Sequence, residues 1–223
     1  MAHLIDLSHT VEAGMVTYRG LPGPVITDHL TRDASRALYA PGTTFQIGRI
    51  EMVANTGTYV DSPFHRYESG ADLADLPLDV LANREGVVVR APFAASRAVD
   101  AGALEGLDVA GKAVLVATGW DAHWGTPAYH EGAPFLTRAA ARLLAERRAA
   151  IVGIDSHNID DTGDLSRPVH SLLLGAGIPI VEHLCHLEAL PPAGFRFHAV
   201  PVKVRGLGTF PVRAFAAVSE ESY

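Results

Sequence analysis

Two continuous apolar runs, Val87-Val88-Val89 and Val114-Leu115-Val116, most narrow the folds open to this chain. A strand apolar at every position is buried on both faces, so the sheet that contains it must carry packed layers above and below. The two runs lie within strand-like segments at 86–90 and 113–117, and further β-branched or aromatic segments occur at 4–7, 45–53, 151–154, 178–182, 197–204 and 212–218. The 45–53 segment comes close to alternation, the mark of a strand with one solvated face. Helical signals are fewer. Residues 136–148 read as a helix capped by Thr137, with Leu143, Leu144 and the alanines opposite Arg142, Glu146 and Arg147. A second helix is expected over 168–174, opened by Pro168 and ended by Gly175 and Gly177. Many strands with few helices predict an α/β domain on a mixed sheet. Between Gly57 and Pro77 the abundance of Gly, Pro, Ser and Asp predicts an irregular loop of the kind that carries function.

A chain of 223 residues with 48% hydrophobic content can bury one substantial core, and a single domain over 1–223 is expected. The formal net charge is -7 with no run of Lys or Arg. That argues against nucleic acid and anionic membrane surfaces as partners, because both require clustered positive charge. No apolar stretch approaches the ~20 residues that span a bilayer, and residues 1–6 lack the basic-then-apolar order of a signal peptide. Cys185 is the only cysteine, which removes internal disulfides and cysteine-based zinc knuckles. The expectation is a soluble cytoplasmic protein acting on a small molecule. Trp120 reads as core, Trp124 and His130 as candidate pocket walls, and 220–223 as a solvated tail.

Asp61 and His65 place an oxygen and a nitrogen ligand four residues apart, with Pro63 stiffening the turn between them. Carboxylate plus imidazole is a common first shell for Zn²⁺ or Mn²⁺. A turn-capping Asp and a surface His satisfy the same residue types. His170 and Glu182 form a second pair. From His170 the helix advances about 8 Å at ~1.5 Å per residue, and the following strand returns about 13 Å at ~3.3 Å per residue, which brings Glu182 back towards His170. An exposed helix histidine and a solvated strand-end charge are the alternative.

The run Asn55-Thr56-Gly57-Thr58-Tyr59-Val60-Asp61-Ser62-Pro63-Phe64-His65 resembles the signature loop of the cyclase family, which includes bacterial kynurenine formamidases and isatin hydrolases. The usual pattern there is His-x-Gly-Thr-His-x-Asp-x-Pro-x-His, its three histidines and Asp being metal ligands. Gly57, Thr58, Asp61, Pro63 and His65 match, whereas Asn55 and Tyr59 stand where the pattern has histidine. The segment from Pro168 to Leu184 resembles the family's second ligand segment, with His170 and Glu182 twelve residues apart. Ile5-Asp6-Leu7-Ser8-His9, Ala117-Thr118-Gly119-Trp120-Asp121, Gly153-Ile154-Asp155 with Ile159-Asp160, Val200-Pro201-Val202-Lys203 and Pro211-Val212-Arg213-Ala214 extend the likeness over nearly the whole chain.

The resemblance implies a swivelling β/β/α domain with a mixed sheet, assembled as a homodimer or tetramer. It also implies an arylformamidase-like hydrolase in which a metal activates water against an amide, formamide or lactam carbonyl. Carried over residue by residue, Asp61, His65, His170 and Glu182 become the metal ligands and, with Tyr59, the catalytic set. An Asn amide is a weak neutral ligand, and a phenol must first lose a proton of pKa ~10, so one zinc or manganese ion is expected rather than two. Asn55 and Tyr59 then face the substrate, joined by Tyr18, Arg66 and His157 as further substrate contacts. Three readings stand at this point. They are a mononuclear metal hydrolase, a metal-free acid/base cyclase, dehydratase or isomerase built on Asp61 and Glu182, and a relative that binds without catalysis.

Overall fold

A computed structural model of the chain describes residues 3–219, so the tail at 220–223 lies outside the described residues. In chain order the strands are β1 (His3–Asp6), β2 (Val25–Leu30), β3 (Ile47–Glu51), β4 (Tyr59–Asp61), β5 (Arg84–Arg90), β6 (Ala98–Val99), β7 (Ala113–Ala117), β8 (Phe135–Leu136), β9 (Ile151–Ile154), β10 (Ile180–Glu182), β11 (Ala193–His198), β12 (Thr209–Pro211) and β13 (Phe215–Val218). The α-helices are α1 (Arg32–Ser35), α2 (Leu78–Leu81), α3 (Arg138–Glu146) and α4 (Pro168–Gly175).

The two apolar runs become adjacent parallel strands at the centre of a nine-stranded mixed sheet, ordered β1-β13-β11-β5-β7-β9-β10-β4-β12. Strands β5, β7, β9 and β10 are parallel, with Val89, Val116 and Ile154 in register. Antiparallel strands flank them on both sides. Side chains alternate across a strand, so the sheet has two cores. Val87, Val89, Val114, Val116, Val152 and Ile154 form one core with Ala140 and Leu144 of α3 and Leu173 of α4. Val88, Leu115 and Val181 point the other way and join Phe195 and Phe197 of β11, Ala216 of β13, and Leu184 and Leu187. Gly86 is required where β5 meets β11: a Cβ there would lie 2.0 Å from the Phe195 ring. The expected α/β class with a mixed sheet is therefore observed.

Both expected helices form. Thr137 caps α3 by accepting the Ala140 N–H, and α4 starts at Pro168 and ends at Gly175. Other expectations need correction. The 45–53 segment is a strand only over Ile47–Glu51, and it lies outside the main sheet. It pairs with β2 in a two-stranded ribbon whose residues are all exposed or half-buried. Alternation marked a strand with a solvated face, but no core of this chain covers the other face. The 57–77 loop contains β4, three buried residues held between β10 and β12. Two ladders, rather than intrinsic propensity, fix so short a strand. The 197–204 segment belongs to β11 only up to His198, and Pro201 forms just an isolated bridge to Val212. The 212–218 segment contributes only β13; β12, on the far side of the sheet, precedes it. Among the described residues, no helix is long and apolar enough to cross a membrane.

Candidate active site

Three neighbouring elements converge at one end of β4. Tyr59 lies opposite Glu182 of β10, and Asp61 lies opposite Thr209 of β12. After Ser62 the chain makes one 3-10 turn over Pro63–His65, in which the His65 N–H donates to the Ser62 carbonyl at 2.9 Å. That turn swings His65 back over Asp61. Gly208 permits the approach, since a Cβ there would lie 2.5 Å from the His65 nitrogen. The first turn of α4 supplies His170 from the other side.

Asp61, His65 and His170 each present a ligand atom, and the three atoms lie within 4.8 Å of one another. Asp61 is fully buried, and its Oδ2 has no hydrogen-bond partner. His170 Nε2 is 3.7 Å from that oxygen and 3.7 Å from Glu182 Oε1. The other ring nitrogen, Nδ1, donates to Asp160 Oδ2 at 2.6 Å, because a carboxylate can only accept. In the neutral ring Nε2 is then a bare lone pair facing two carboxylate oxygens. Burial pulls the His170 imidazolium down, but the hydrogen bond to Asp160 and the nearby carboxylates of Asp61 and Glu182 outweigh it, raising its pKa to about 10. The pocket thus calls for a positive charge between these atoms, either a proton or a cation. The Thr209 hydroxyl is shared between Asp61 Oδ1 and His65 Nδ1, the latter at 2.8 Å. Its single proton goes to the carboxylate, so His65 donates from Nδ1 and keeps Nε2 unprotonated. One carboxylate and two oriented imidazoles suit a divalent transition metal.

Glu182 borders this cluster rather than belonging to it. Its Oε2 accepts the Tyr59 phenol at 2.5 Å, and its Oε1 accepts the Ile159 N–H at 2.7 Å. Tyr18 donates to the His157 carbonyl at 2.7 Å, with Glu182 Oε2 at 3.3 Å as a second acceptor. Burial raises the Glu182 carboxyl above its ordinary pKa, His170 opposes the rise and Asp61 adds to it. Burial likewise raises the phenols of Tyr59 and Tyr18, which stay protonated donors.

A cleft of two lobes opens onto these groups. The inner lobe, about 200 Å³, is walled by Tyr18, Leu21, Asn55, Tyr59 and Glu182. The outer lobe, about 230 Å³, is walled by Arg66, Leu165, Ser166 and Arg167. His65, Asn158 and His170 line both. Two larger cavities of about 630 Å³ lie elsewhere, and neither contains any of these ligands. Trp124 and His130 wall one of those. Trp120 is buried core.

Of the residues singled out in the sequence, Asn55, Tyr59, Tyr18, His65, His170, Glu182 and Arg66 line this cleft, and Asp61, fully buried, joins His65 and His170 in the ligand cluster. His157 lines neither lobe. Its ring packs against Tyr18, Tyr129 and His130, and only its carbonyl reaches the site through Tyr18. Sequence reasoning missed Asp160, Thr209 and Asn158. Asp160 entered only as part of the family-like Ile159-Asp160 segment, with no role attached. Thr209 carried none, because only strand pairing places it beside Asp61.

The model of the Cyclase family matches residues 5–161. A kynurenine formamidase of Salinibacter ruber is 27% identical over 214 residues, covering 95% of each chain. One of Geobacillus thermodenitrificans is 27% identical over 176 residues, covering 78% of this chain and 81% of its own. A solved structure described as a potential metal-dependent hydrolase with cyclase activity superposes with a TM-score of 0.80 at 26% identity, over 99% of this chain and all of the other. Isatin hydrolase A from Labrenzia aggregata shares the fold, with a TM-score of 0.83 at 21% identity over 98% of this chain and 94% of that one. With a family model matched over most of its length, the chain belongs to the Cyclase family.

Proposed function

We propose that this protein hydrolyses an amide, formamide or cyclic amide/ester bond of a small molecule in the two-lobed cleft. One divalent ion, zinc or manganese, would be held by Asp61, His65 and His170, with Glu182 at its edge. The observation that carries this reading is the buried, unpartnered Asp61 Oδ2 facing His170 Nε2 at 3.7 Å. When bound, such an ion supplies Lewis-acid activation of water near neutral pH.

The chain's own groups supply the proton handling. Glu182, a buried carboxylate with a raised pKa, takes the proton lost by the attacking water and returns it to the leaving nitrogen or oxygen. Tyr59 steadies the carboxylate through its 2.5 Å hydrogen bond, and Tyr18 stands beside it. Asn55, on the inner wall, offers its amide N–H to the substrate carbonyl oxygen. The 27% identical kynurenine formamidases support an amide-type substrate.

Elemental analysis of protein purified without chelator or histidine tag tests the reading. About one ion per chain, lost in Asp61→Ala and in His170→Ala, is expected for a three-ligand site. No ion after reconstitution with Zn²⁺ and with Mn²⁺ overturns it. The Tyr59–Glu182 contact favours a second reading, a metal-free acid/base cyclase, dehydratase or isomerase. Activity that survives exhaustive chelation would select that one.

The working unit is a homodimer built through the β2–β3 ribbon. Ile26 and Ile50 pair across it and are about half exposed, and a Cβ at neighbouring Gly48 would meet nothing within 4 Å. A two-stranded ribbon is marginal alone.

A further inference from the structure

The two lobes of the cleft differ in charge. The inner one has Glu182 and two phenols in its wall. The outer one has Arg66 and Arg167 with His65 and His170, and no carboxylate in its wall, in a chain of net charge -7. Each arginine is anchored by one part of its guanidinium. Arg66 Nε donates to Ser171 Oγ at 3.3 Å and stacks over Tyr67, and Arg167 Nη1 donates to the Asp161 carbonyl at 2.8 Å. Among the described residues neither arginine forms an ion pair. The acid nearest in sequence on that turn, Asp164, uses Oδ1 for the Ser166 N–H and hydroxyl at 2.9 and 2.7 Å. Donors of both guanidiniums therefore remain for a ligand.

The backbone of Arg167 supplies an independent observation. It sits at φ 45°, ψ 61°, the left-handed region, immediately before α4. That conformation is uncommon for a side chain other than Gly, Asn or Asp, and such strain gathers at ligand clamps. Here it is held by the Arg167 N–H to the Asp164 carbonyl at 3.2 Å and by the Ser171 N–H to the Arg167 carbonyl at 3.0 Å. The strained residue sits three positions before His170 and shares the lobe's wall with it.

We infer that the outer lobe is an anion subsite: the substrate carries a carboxylate or phosphate at the end remote from the bond that breaks, and Arg66 and Arg167 hold it. This rests on the cleft being the substrate site, and it adds the charge of the substrate to the reaction proposed above. The planar guanidinium fork matches both anions.

Calorimetric titration of the metal-loaded protein with benzoate, phenyl phosphate and neutral benzamide tests it without relying on turnover. At least one anion is expected to bind about 10–100-fold more tightly than benzamide, the effect of one or two charge-assisted hydrogen bonds. Whether benzoate or phenyl phosphate is preferred identifies the group. Arg66→Gln and Arg167→Asn should each remove most of that preference. Asn tolerates the left-handed backbone, and should that variant still fail to fold, Arg66→Gln decides. Anions binding no better than benzamide would overturn the inference, as would a preference unchanged in both arginine variants. A preference lost in His170→Ala but kept in the arginine variants puts the anion on the ion cluster, which also overturns it. Anion preference without hydrolysis of any amide leaves the subsite standing and removes the hydrolase reading. Hydrolysis without anion preference does the reverse.

Discussion

Replacing Asp160 by Asn isolates the group that orients His170. The buried Asp160 carboxylate holds three donors: the Val169 N–H at 2.6 Å, the His170 N–H at 3.0 Å and His170 Nδ1 at 2.6 Å. An amide keeps only one acceptor oxygen. If that oxygen stays with His170, the new NH₂ meets the Val169 N–H, leaving a buried donor unpaired at about 1–3 kcal/mol. Exchanging a charge-assisted partner of His170 for a neutral one adds roughly 1 kcal/mol. The total, about 2–4 kcal/mol, lowers the melting midpoint by roughly 4–16 °C for a chain of this size. Because the imidazole also loses the partner that fixes its tautomer, metal affinity should fall about 10–100-fold. Thermal melts of chelated protein, with competition titration of Zn²⁺ against a chromophoric chelator, measure both effects. A variant with unchanged midpoint and unchanged affinity would refute the assignment. A lowered midpoint with native affinity would reduce Asp160 to a cap on α4.

Three other perturbations have defined outcomes. Tyr59→Phe removes the 2.5 Å donor to Glu182, and kcat/KM should drop about 10–100-fold with the melting midpoint little changed; full activity would show that the phenol is a bystander. Burial, followed by neighbouring imidazoles, lowers the pKa of His9 and His157 to about 4 and that of His183 well below its ordinary value. The unfolded chain binds these protons near pH 6.5 and the folded one does so only near pH 4, so this contribution is complete above pH 6.5 and is lost as pH falls towards 4. His170, shifted upward to about 10, works in the opposite direction, its stabilisation being complete below pH 6.5 and fading as pH rises from 6.5 towards 10, but that one ring is outweighed by the three lowered ones. The urea midpoint of metal-free protein should therefore be lower at about pH 5 than at about pH 7, and a flat profile would contradict the buried neutral rings. Ile50→Asp places a charge on the exposed apolar side of the ribbon and should convert the proposed dimer to monomer in sedimentation equilibrium, whereas an unchanged mass would overturn an interface at the ribbon.

The centre of the fold was legible because burial leaves a direct trace in sequence. Val87-Val88-Val89 and Val114-Leu115-Val116 had to be covered on both faces; α3 and α4 pack on one, and on the other the second core, with Leu184, Leu187, Phe195 and Phe197, encloses them. The Thr137 cap and the Pro168 start were legible because capping chemistry is local. The ribbon strand was legible but its place outside the main sheet was not, because alternation tells which face of a strand is apolar, not whether the chain itself supplies anything to bury it. Strand β4 was hidden in a loop-like composition because its burial comes from two ladders reaching it from residues 180–182 and 209–211.

For the site, the sequence by itself determined which chemical groups were available: Asp61 and His65 on a stiffened turn, His170 on a helix start, Glu182 on the strand that returns, and a phenol and an amide where two imidazoles are usual. Only the tertiary structure decided their protonation states and partnerships. Asp160 and Thr209 set the tautomers of the two histidines, Tyr59 takes the Glu182 oxygen, and Arg167 is brought beside Arg66 across one lobe. The physical reason is range. Hydrogen-bond direction and electrostatic environment act over a few ångströms in space, and the groups that impose them here lie as far as 148 positions apart along the chain.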